Sequence, residues 1–484
     1  MPVGGGTFTV QNKILPGAYY QFRASGNTVS MGARGIAALP LELPWGPENQ
    51  IYSLAAGDFN QLALKDLGYD PTASELLLVR EALKRAKTLL IYRVNSGGAK
   101  AAVTVGGLSV TARYGGTRGN ALKAAVLANA DNSANVDVVT YLDGTEMDRQ
   151  TVKKSGGAVS LKANDYVTFS TPATLTAAAA ASLTGGTNGT VNGSAYTAWM
   201  NALEVEDFNV LGYPGTDDSV KSLVTAFVKR LRDDEGKYIT GVLYQHTSAD
   251  SIGIISVKNG VKLSDGTVIT GDKAVAWVAG ASAAAEINES LTNTTYDDAV
   301  DVDIKYTKGQ YEAALKAGEF VFYAEKGKAR VLSDINSRTT FGSGVSEDWT
   351  SNRVIRVLDG WASDTARIFG QQYLGVETNS ETGRSLFKAD LVSLGKQYEG
   401  IDAISNFLPD DVTVQLFCRQ HNHNHFFGQQ ADLLIFLRHF KFLCTVLYAT
   451  SQNLIYRHTS DVELSQCLFQ RFNFRDSCNN LHSG

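Results

Sequence analysis

The chain has 484 residues and a formal net charge of -5, enough length for two or three domains that each bury a core. Its 44% hydrophobic and 19% charged residues are those of a soluble globular protein, and the negative balance argues against nucleic acid as the main partner. The apolar run from Ala431 to Ala449 is interrupted by Arg438, His439 and Lys441, and the N-terminal MPVGGGTFTVQNK lacks a basic segment followed by an apolar one, so neither a spanning helix nor a signal peptide is expected.

Residues 1 to about 22 are Gly-rich and then extended, with a turn at Pro16-Gly17 before Tyr19, Tyr20 and Phe22, and they read as an arm. From 36 to 97 the pattern is strand, helix, strand. Asp70-Pro71 is placed to cap and start a helix, Leu76, Leu77, Val79, Leu83 and Ala86 give it an apolar face, and Thr88–Val94 follows as a buried strand. Residues 98–190 change character: Ala102–Val105, Leu108–Tyr114, Val136–Tyr141 and Tyr166–Phe169 are short β-type segments between Gly, Asn and Asp turns. They predict a small antiparallel sandwich or barrel inserted between α/β elements, with the alanine-rich run Thr176–Leu183 as a short helix or linker at its edge.

The α/β rhythm returns near 193. Asn209–Gly212 predicts a strand ending in the turn Tyr213-Pro-Gly-Thr, and Thr216, Asp217 and Asp218 can cap a helix over Val220–Arg232. Strands at Ile239–Tyr244 and Ile252–Val257, and helices at Ala274–Ile287, Asn352–Leu374 and Leu386–Glu399, complete the pattern. After about residue 415 glycine and lysine almost vanish, phenylalanine becomes dense, and turn punctuation is lost.

Chemistry-bearing side chains are distributed unevenly. All four cysteines (Cys418, Cys444, Cys467, Cys478) and six of the seven histidines lie after residue 417, leaving His246 alone in the body. Across most of its length the chain therefore lacks the usual nucleophiles, proton shuttles and soft metal ligands, and the thiol-free body suits a reducing cytoplasm. His421, His423 and His425 form an H-x-H-x-H run that an extended chain would place on one face, but no second cluster completes a metal site. His246 has no G-x-S-x-G elbow to serve, and a loop or core histidine is the simpler reading. Gly212–Thr216 could hold an anion at a helix N-terminus, yet it lacks the P-loop spacing and its Lys-Ser/Thr pair, so a plain turn is preferred. Asp298, Asp301 and Asp303 read as a solvated face before a calcium site, and the sequons at Asn188 and Asn192 carry no meaning without secretion. No catalytic, cofactor or metal residue is assigned, no cofactor is expected, and no enzyme is predicted.

Several stretches, in one order, resemble contractile phage tail sheath proteins of the type found in myophages and defective prophages of Gram-positive bacteria. They are Asn12-Lys-Ile-Leu-Pro-Gly-Ala-Tyr-Tyr20, Gly32-Ala-Arg-Gly-Ile-Ala-Ala-Leu-Pro40, Pro44-Trp-Gly-Pro47 and Glu81-Ala-Leu-Lys-Arg-Ala-Lys87. Tyr114-Gly-Gly-Thr-Arg-Gly-Asn120, Asn352-Arg-Val-Ile-Arg-Val-Leu358, Tyr373-Leu-Gly375, Thr382-Gly-Arg-Ser-Leu-Phe387 and Ile401-Asp-Ala-Ile-Ser-Asn-Phe407 continue the series. The resemblance implies a structural protomer, six to a ring, stacked helically around an inner tube and contracting to drive that tube through the host envelope. It implies partners in the tube, baseplate and tail terminator proteins and in further copies of the chain, with no nucleic acid and no membrane insertion. It also implies a virion tail assembled in the host cytoplasm. Terminal arms would add strands to neighbouring subunits, with the arm near Gly4–Phe22 pivoting at Pro16 and Gly17 and carrying Tyr19, Tyr20 and Phe22.

The expected fold is thus α+β or α/β and multidomain, a mixed-sheet core with an inserted antiparallel β domain and extended terminal arms. The boundaries are an arm at 1–22, core parts at 23–97 and 191–345, an outward insert at 98–190, a tube-proximal α+β region at 346–415, and a tail at 416–484. The family pattern stops near Leu416. The composition beyond it favours a frameshifted, fused or otherwise aberrant reading over a natural appended domain, with disorder or poor packing expected and the second arm missing. A β-rich surface adhesin would explain 98–190 but not the colinear motifs, and a hydrolase built on His246 would explain one residue.

Overall fold

The computed structural model describes residues 31–342, 346–374, 376, 377 and 380–418, and the backbone of strands Gly4–Thr7, Gly17–Tyr20, Ala431–Leu437, Leu443–Leu447, Arg457–Asp461 and Phe472–Phe474. The chain divides into two compact units, one built mainly from Ala33–Ser363 and the other from Met1–Gly32 with Asp364–Lys441 and Glu463–Gly484.

The larger unit is organised by a sheet of seven described strands. Their order is Glu319–Phe320, Ile254–Val257, Thr240–Tyr244, Val210–Tyr213, Ile36–Leu41, Thr88–Arg93 and Ile51–Ala55, and only the last pairing is antiparallel. The strand sequences are apolar on both faces because both faces are covered, as the pleat requires of a parallel sheet. Ala37, Leu39 and Leu41 join one core while Ala38 joins the other; Leu89 and Ile91 separate from Leu90 and Tyr92 in the same way.

One face carries helices α1 (Phe59–Leu67), α2 (Leu77–Leu83) and α5 (Gly271–Ala284); the other carries α3 (Gly193–Glu204) and α4 (Asp218–Asp233). Helix α5 is buried from Ala274 to Ala283, which explains its lack of a polar face. A Cβ on Gly280 would lie 2.2 Å from the Ala82 carbonyl oxygen, so glycine here is what lets α5 and α2 approach. Trp277 stacks on Tyr296 at 4.4 Å, and the Tyr296 hydroxyl donates to buried Glu81 at 2.8 Å.

Residues 102–182 form two antiparallel sheets. One has the order Thr145–Lys153, Asn135–Leu142, Leu122–Ala128, Ala178–Ser182, and the other Val167–Phe169, Leu108–Ala112, Ala102–Val105. Their facing residues, among them Val110, Val126, Val138 and Leu183, make a separate core that takes in Trp45 from the neighbouring loop. The sandwich is as expected, but the alanine-rich run is neither helix nor linker. Ala178–Ser182 pairs antiparallel with Leu122–Ala128, the ladder outweighing alanine's helix preference.

Two further differences concern the first α/β segment. Ile51–Ala55 and α1 were not foreseen, and Asp70-Pro71 does not begin a helix. The Asp70 carboxylate accepts from the Thr72 N–H at 2.9 Å and its hydroxyl at 2.6 Å, closing a local turn, and α2 starts only at Leu77. Strands Val268–Ile269 and Val261–Leu263, which form a small sheet with Ala299–Val302, a short helix α6 (Lys308–Lys316) and the hairpin Phe322–Glu325/Lys328–Val331 were also missed, whereas the stretch around 298–303 was read as strand-like.

Helix α7 (Asn352–Ile368) begins in this unit. Asn352 Nδ2 donates to Asp334 Oδ1 at 2.8 Å, and Arg232 holds Asp359 through two bonds of 2.7 Å, all four side chains being buried. In the smaller unit α7 ends in a π-turn at Phe369–Tyr373, and α8 (Glu381–Gly400) follows. Phe387, Leu391, Leu394 and Tyr398 form its buried stripe, and Phe387 meets Phe369 and Tyr373 at 5.4 and 4.8 Å. The strand Val412–Cys418 pairs antiparallel with Ala431–Leu437, which pairs with Phe472–Phe474. Expected disorder beyond 416 falls mostly on residues outside those described.

Candidate functional site

Of the arm residues singled out, Pro16 and Phe22 lie outside the described residues, while Gly17, Tyr19 and Tyr20 belong to Gly17–Tyr20, whose backbone pairs in parallel with Gly4–Thr7. Where the described chain resumes it is anchored at once. The Gly32 N–H donates to Asp364 Oδ1 at 2.8 Å, and the Gly35 and Ile36 N–H groups donate to Asn209 Oδ1 at 2.8 and 3.0 Å.

The parallel strands leave a crevice beyond their carboxyl ends where Ile36–Leu41 meets Val210–Tyr213, the switch point at which doubly wound folds bind ligands. A cavity of about 400 Å³ lies here, lined by Glu42, Glu75, Tyr196, Tyr213, Gly215 and Asp217. The N-terminus of α4 is already capped by its own carboxylate, since Asp217 accepts from the Ser219 N–H at 2.8 Å, and Asp218 stands in the first turn. A phosphate would meet three carboxylates on the lining and no glycine-rich cradle, so Gly212–Thr216 is a strand-to-helix turn, in agreement with the plain reading.

The other candidates each have a local structural task. His246 precedes a short 3-10 turn, and its backbone N–H donates to Ser256 Oγ at 2.8 Å. Burial, with Lys221 acting in the same direction and Asp218 against it, holds the imidazole pKa below its ordinary value of 6.5. The neutral form is therefore favoured in the fold, and the associated stability is complete above pH 6.5 and erodes as pH falls through the depressed value. His246→Gln is expected to leave stability at pH 7.5 within about 0.5 kcal/mol of wild type. It should also flatten the loss between pH 6.5 and 5, read from urea midpoints across that range. Identical acid limbs in the two proteins would refute this role.

Asp298 pairs with Lys84 at 3.2 Å, Asp301 with Lys305 at 2.9 Å, and Asp303 accepts from the Gly260 and Ile304 N–H groups at 2.9 and 2.7 Å. Asn188 Oδ1 accepts from the Thr117 N–H at 3.0 Å, and Asn192 caps α3 through the Ala195 N–H at 3.1 Å. Among the described residues no group of His, Cys, Asp or Glu side chains is placed to hold a metal, and no helix is long and apolar enough to cross a membrane. His421, His423 and His425 lie outside the described residues. Sequence reasoning missed Asp364 and Asn209 as anchors: each is one polar residue whose N–H partners in the anchored segment are 173 or more positions away, and no local spacing marks it.

Comparison with known proteins gives one consistent result. Four family models match in order: the tail sheath protein Gp18 domain III N-terminal region over residues 34–94, and the phage tail sheath protein beta-sandwich domain over 96–188. The phage tail sheath protein central domain matches 189–337, and the phage tail sheath C-terminal domain matches 345–431. The phage-like element PBSX protein XkdK of Bacillus subtilis is 39% identical over 389 residues, which is 75% of this chain and 82% of that protein. The sheath tail protein of Desulfitobacterium hafniense superposes with a TM-score of 0.77 at 44% identity, covering 87% of this chain and 96% of that one. The Listeria innocua sheath tail protein gives 0.70 at 32% identity, with 90% and 97% covered. The anti-feeding prophage helical sheath in its contracted state gives 0.50 at 12% identity over 93% of this chain and 100% of that one, a likeness of fold alone.

Proposed function

The chain belongs to the phage tail sheath family, and we propose that it is the protomer of a contractile sheath, assembling as stacked six-membered rings around an inner tube. It is a tail sheath protein of phage or prophage type, a structural component of the tail and not an enzyme. In the proposed assembly, residues 4–22 leave the protomer as an arm that adds a strand to a neighbour's open sheet edge. Heterologous contacts of this kind do not close on themselves, so they generate a helical filament. The core α/β region and residues 346–415 face the tube, and the sandwich faces outward. Contraction is a switch from a metastable extended lattice to a more stable one while the arms keep neighbours joined, triggered at the baseplate. The tube, baseplate and terminator proteins are the proposed partners, with assembly in the host cytoplasm.

The observation that carries this proposal is the unbroken order of the four matched domains from 34 to 431, with the sandwich inserted between two halves of one sheet. Electron microscopy of the purified chain tests it, with tubes or stacked rings expected. The C-terminal family match runs to 431, past the break expected near Leu416, so it is residues 432–484 that complicate that experiment, and we read them as a departure from the family's terminal strand. A chain ending at Gln415 with an alternating strand sequence restored is the control. If that chain also stays monomeric at high concentration, the sheath assignment of function fails.

A further inference from the structure

We propose that Asp364 is a root clamp, a positioning residue that fixes the point at which the N-terminal arm leaves the protomer. The inference rests on the reading of residues 4–22 as a donated arm, and it adds the side chain that holds the base of that arm.

Asp364 lies on α7 and is 2% exposed. A carboxylate removed from water to this degree is tolerated only when its oxygens are bonded. Its Oδ1 accepts from the Gly32 N–H at 2.8 Å and from Arg367 Nη2 at 3.0 Å, and its Oδ2 accepts from the Tyr398 hydroxyl at 2.9 Å. The donors come from three places: the segment after the arm, the next turn of α7, and α8. Tyr398 is fully buried, so the carboxylate is oriented by a side chain that is itself fixed.

The Gly32 bond joins residues 332 positions apart and is charge-assisted on the acceptor side. Glycine suits the position, since a Cβ there would come within 3.2 Å of Asp364 Oδ1. Four residues later the chain enters Ile36–Leu41, an inner strand of the seven-stranded sheet. Without a restraint at Gly32, tension on the arm would pass directly into that strand. With Asp364 in place, tension is first taken by α7 and, through Tyr398, by α8. The direction in which the arm departs is set at the same point.

The test uses the full chain and compares Asp364→Ala, Asp364→Asn and Tyr398→Phe with wild type. Hydrogen exchange of the Gly32 amide reports the clamp, and electron microscopy reports tube formation. In D364A the Gly32 amide is expected to exchange at least about tenfold faster while α2, α4 and α5 keep their protection, and tubes are lost or reduced to short stacks. D364N keeps an acceptor for Gly32 and is expected to retain tubes, which also covers the case in which D364A fails to fold. Y398F loses stability but keeps the Gly32 bond, so it should still form tubes; a purely structural role would make Y398F and D364A alike. An unprotected Gly32 amide in wild type, or D364A tubes of wild-type length, would overturn the clamp. Should neither wild type nor the chain ending at Gln415 with its strand restored form tubes, the sheath proposal fails and the Gly32 exchange in the monomer still decides the clamp.

Discussion

Asp359→Ala is expected to lower the unfolding free energy by about 3–5 kcal/mol, measured by urea denaturation of the unassembled chain. Arg232 is 7% exposed and Asp359 8%, and the two bonds of 2.7 Å between them are the fork-to-fork geometry in which a guanidinium satisfies both carboxylate oxygens. Burial pulls the Arg232 pKa down, but the charge and hydrogen bonds of Asp359 outweigh it and leave the guanidinium above its ordinary value. Removing the carboxylate strands that cation, which keeps the Ile239 carbonyl at 2.9 Å and the face of the Tyr238 ring at 5.6 Å but no paired charge of this quality. The large cost belongs to the uncompensated charge, not to the net worth of the pair. Hence the double substitution R232M/D359L should recover most of the loss, because an apolar pair of similar volume has no charge to desolvate. A D359A cost under about 1 kcal/mol would show that the pair is hydrated or unformed. The pair joins the C-terminal part of α4 to α7, so its loss is also expected to loosen the first turns of α7 in hydrogen exchange.

None of that was visible in the sequence, since Arg232 and Asp359 stand 127 residues apart and each looks like a polar residue on an amphipathic helix. Features fixed by local pattern were visible. The apolar period of α4, the buried run Thr88–Arg93 and the sandwich strands around 102–112 all emerged close to the expected bounds. Features fixed by distant partners were not. Ala178–Ser182 is a strand because Leu122–Ala128 offers it a ladder, although its own residues favour a helix. Asp70 satisfies the N-cap rule on paper but spends its oxygen on Thr72. Asp364 and Asn209 depend on contacts across the chain that only the fold creates. Conversely, the residues that local spacing offered as chemical sites, Asp301, Asp303 and Asn192, have their oxygens engaged in caps, turns and ion pairs. Reading the body as a scaffold rested on the scarcity of Cys and His, and the family comparisons carry that reading further than any single motif.

Removing the sandwich is the second change with a large expected effect. The Gly189 N–H donates to the Asn95 carbonyl at 3.0 Å, and a Cβ on Gly189 would lie 1.9 Å from the Ser96 oxygen, so the two ends of the insert run side by side. A two-glycine link from Ser96 to Gly189 can therefore replace residues 97–188 without stretching the sheet. The excision is not free of consequence, because the α/β part lends side chains to the insert. Trp45 is 1% exposed within the sandwich core, edge-on to Tyr114 at 5.3 Å, and Arg118 reaches back to the Gly68 carbonyl at 2.7 Å. Leaving Trp45 uncovered should cost about 3 kcal/mol and make the shortened chain aggregate, so Trp45→Ser belongs in the same protein. With both changes, a cooperative urea transition is expected, showing that the seven-stranded sheet keeps its own core. If the insert faces outward in the sheath, the shortened chain should also form tubes of reduced outer diameter. Made in a parent that itself forms tubes, a shortened chain that folds but forms none would mean that the insert makes essential lattice contacts and that its outward placement is wrong. One that does not fold even with W45S would mean that the sandwich supports the sheet, not the reverse.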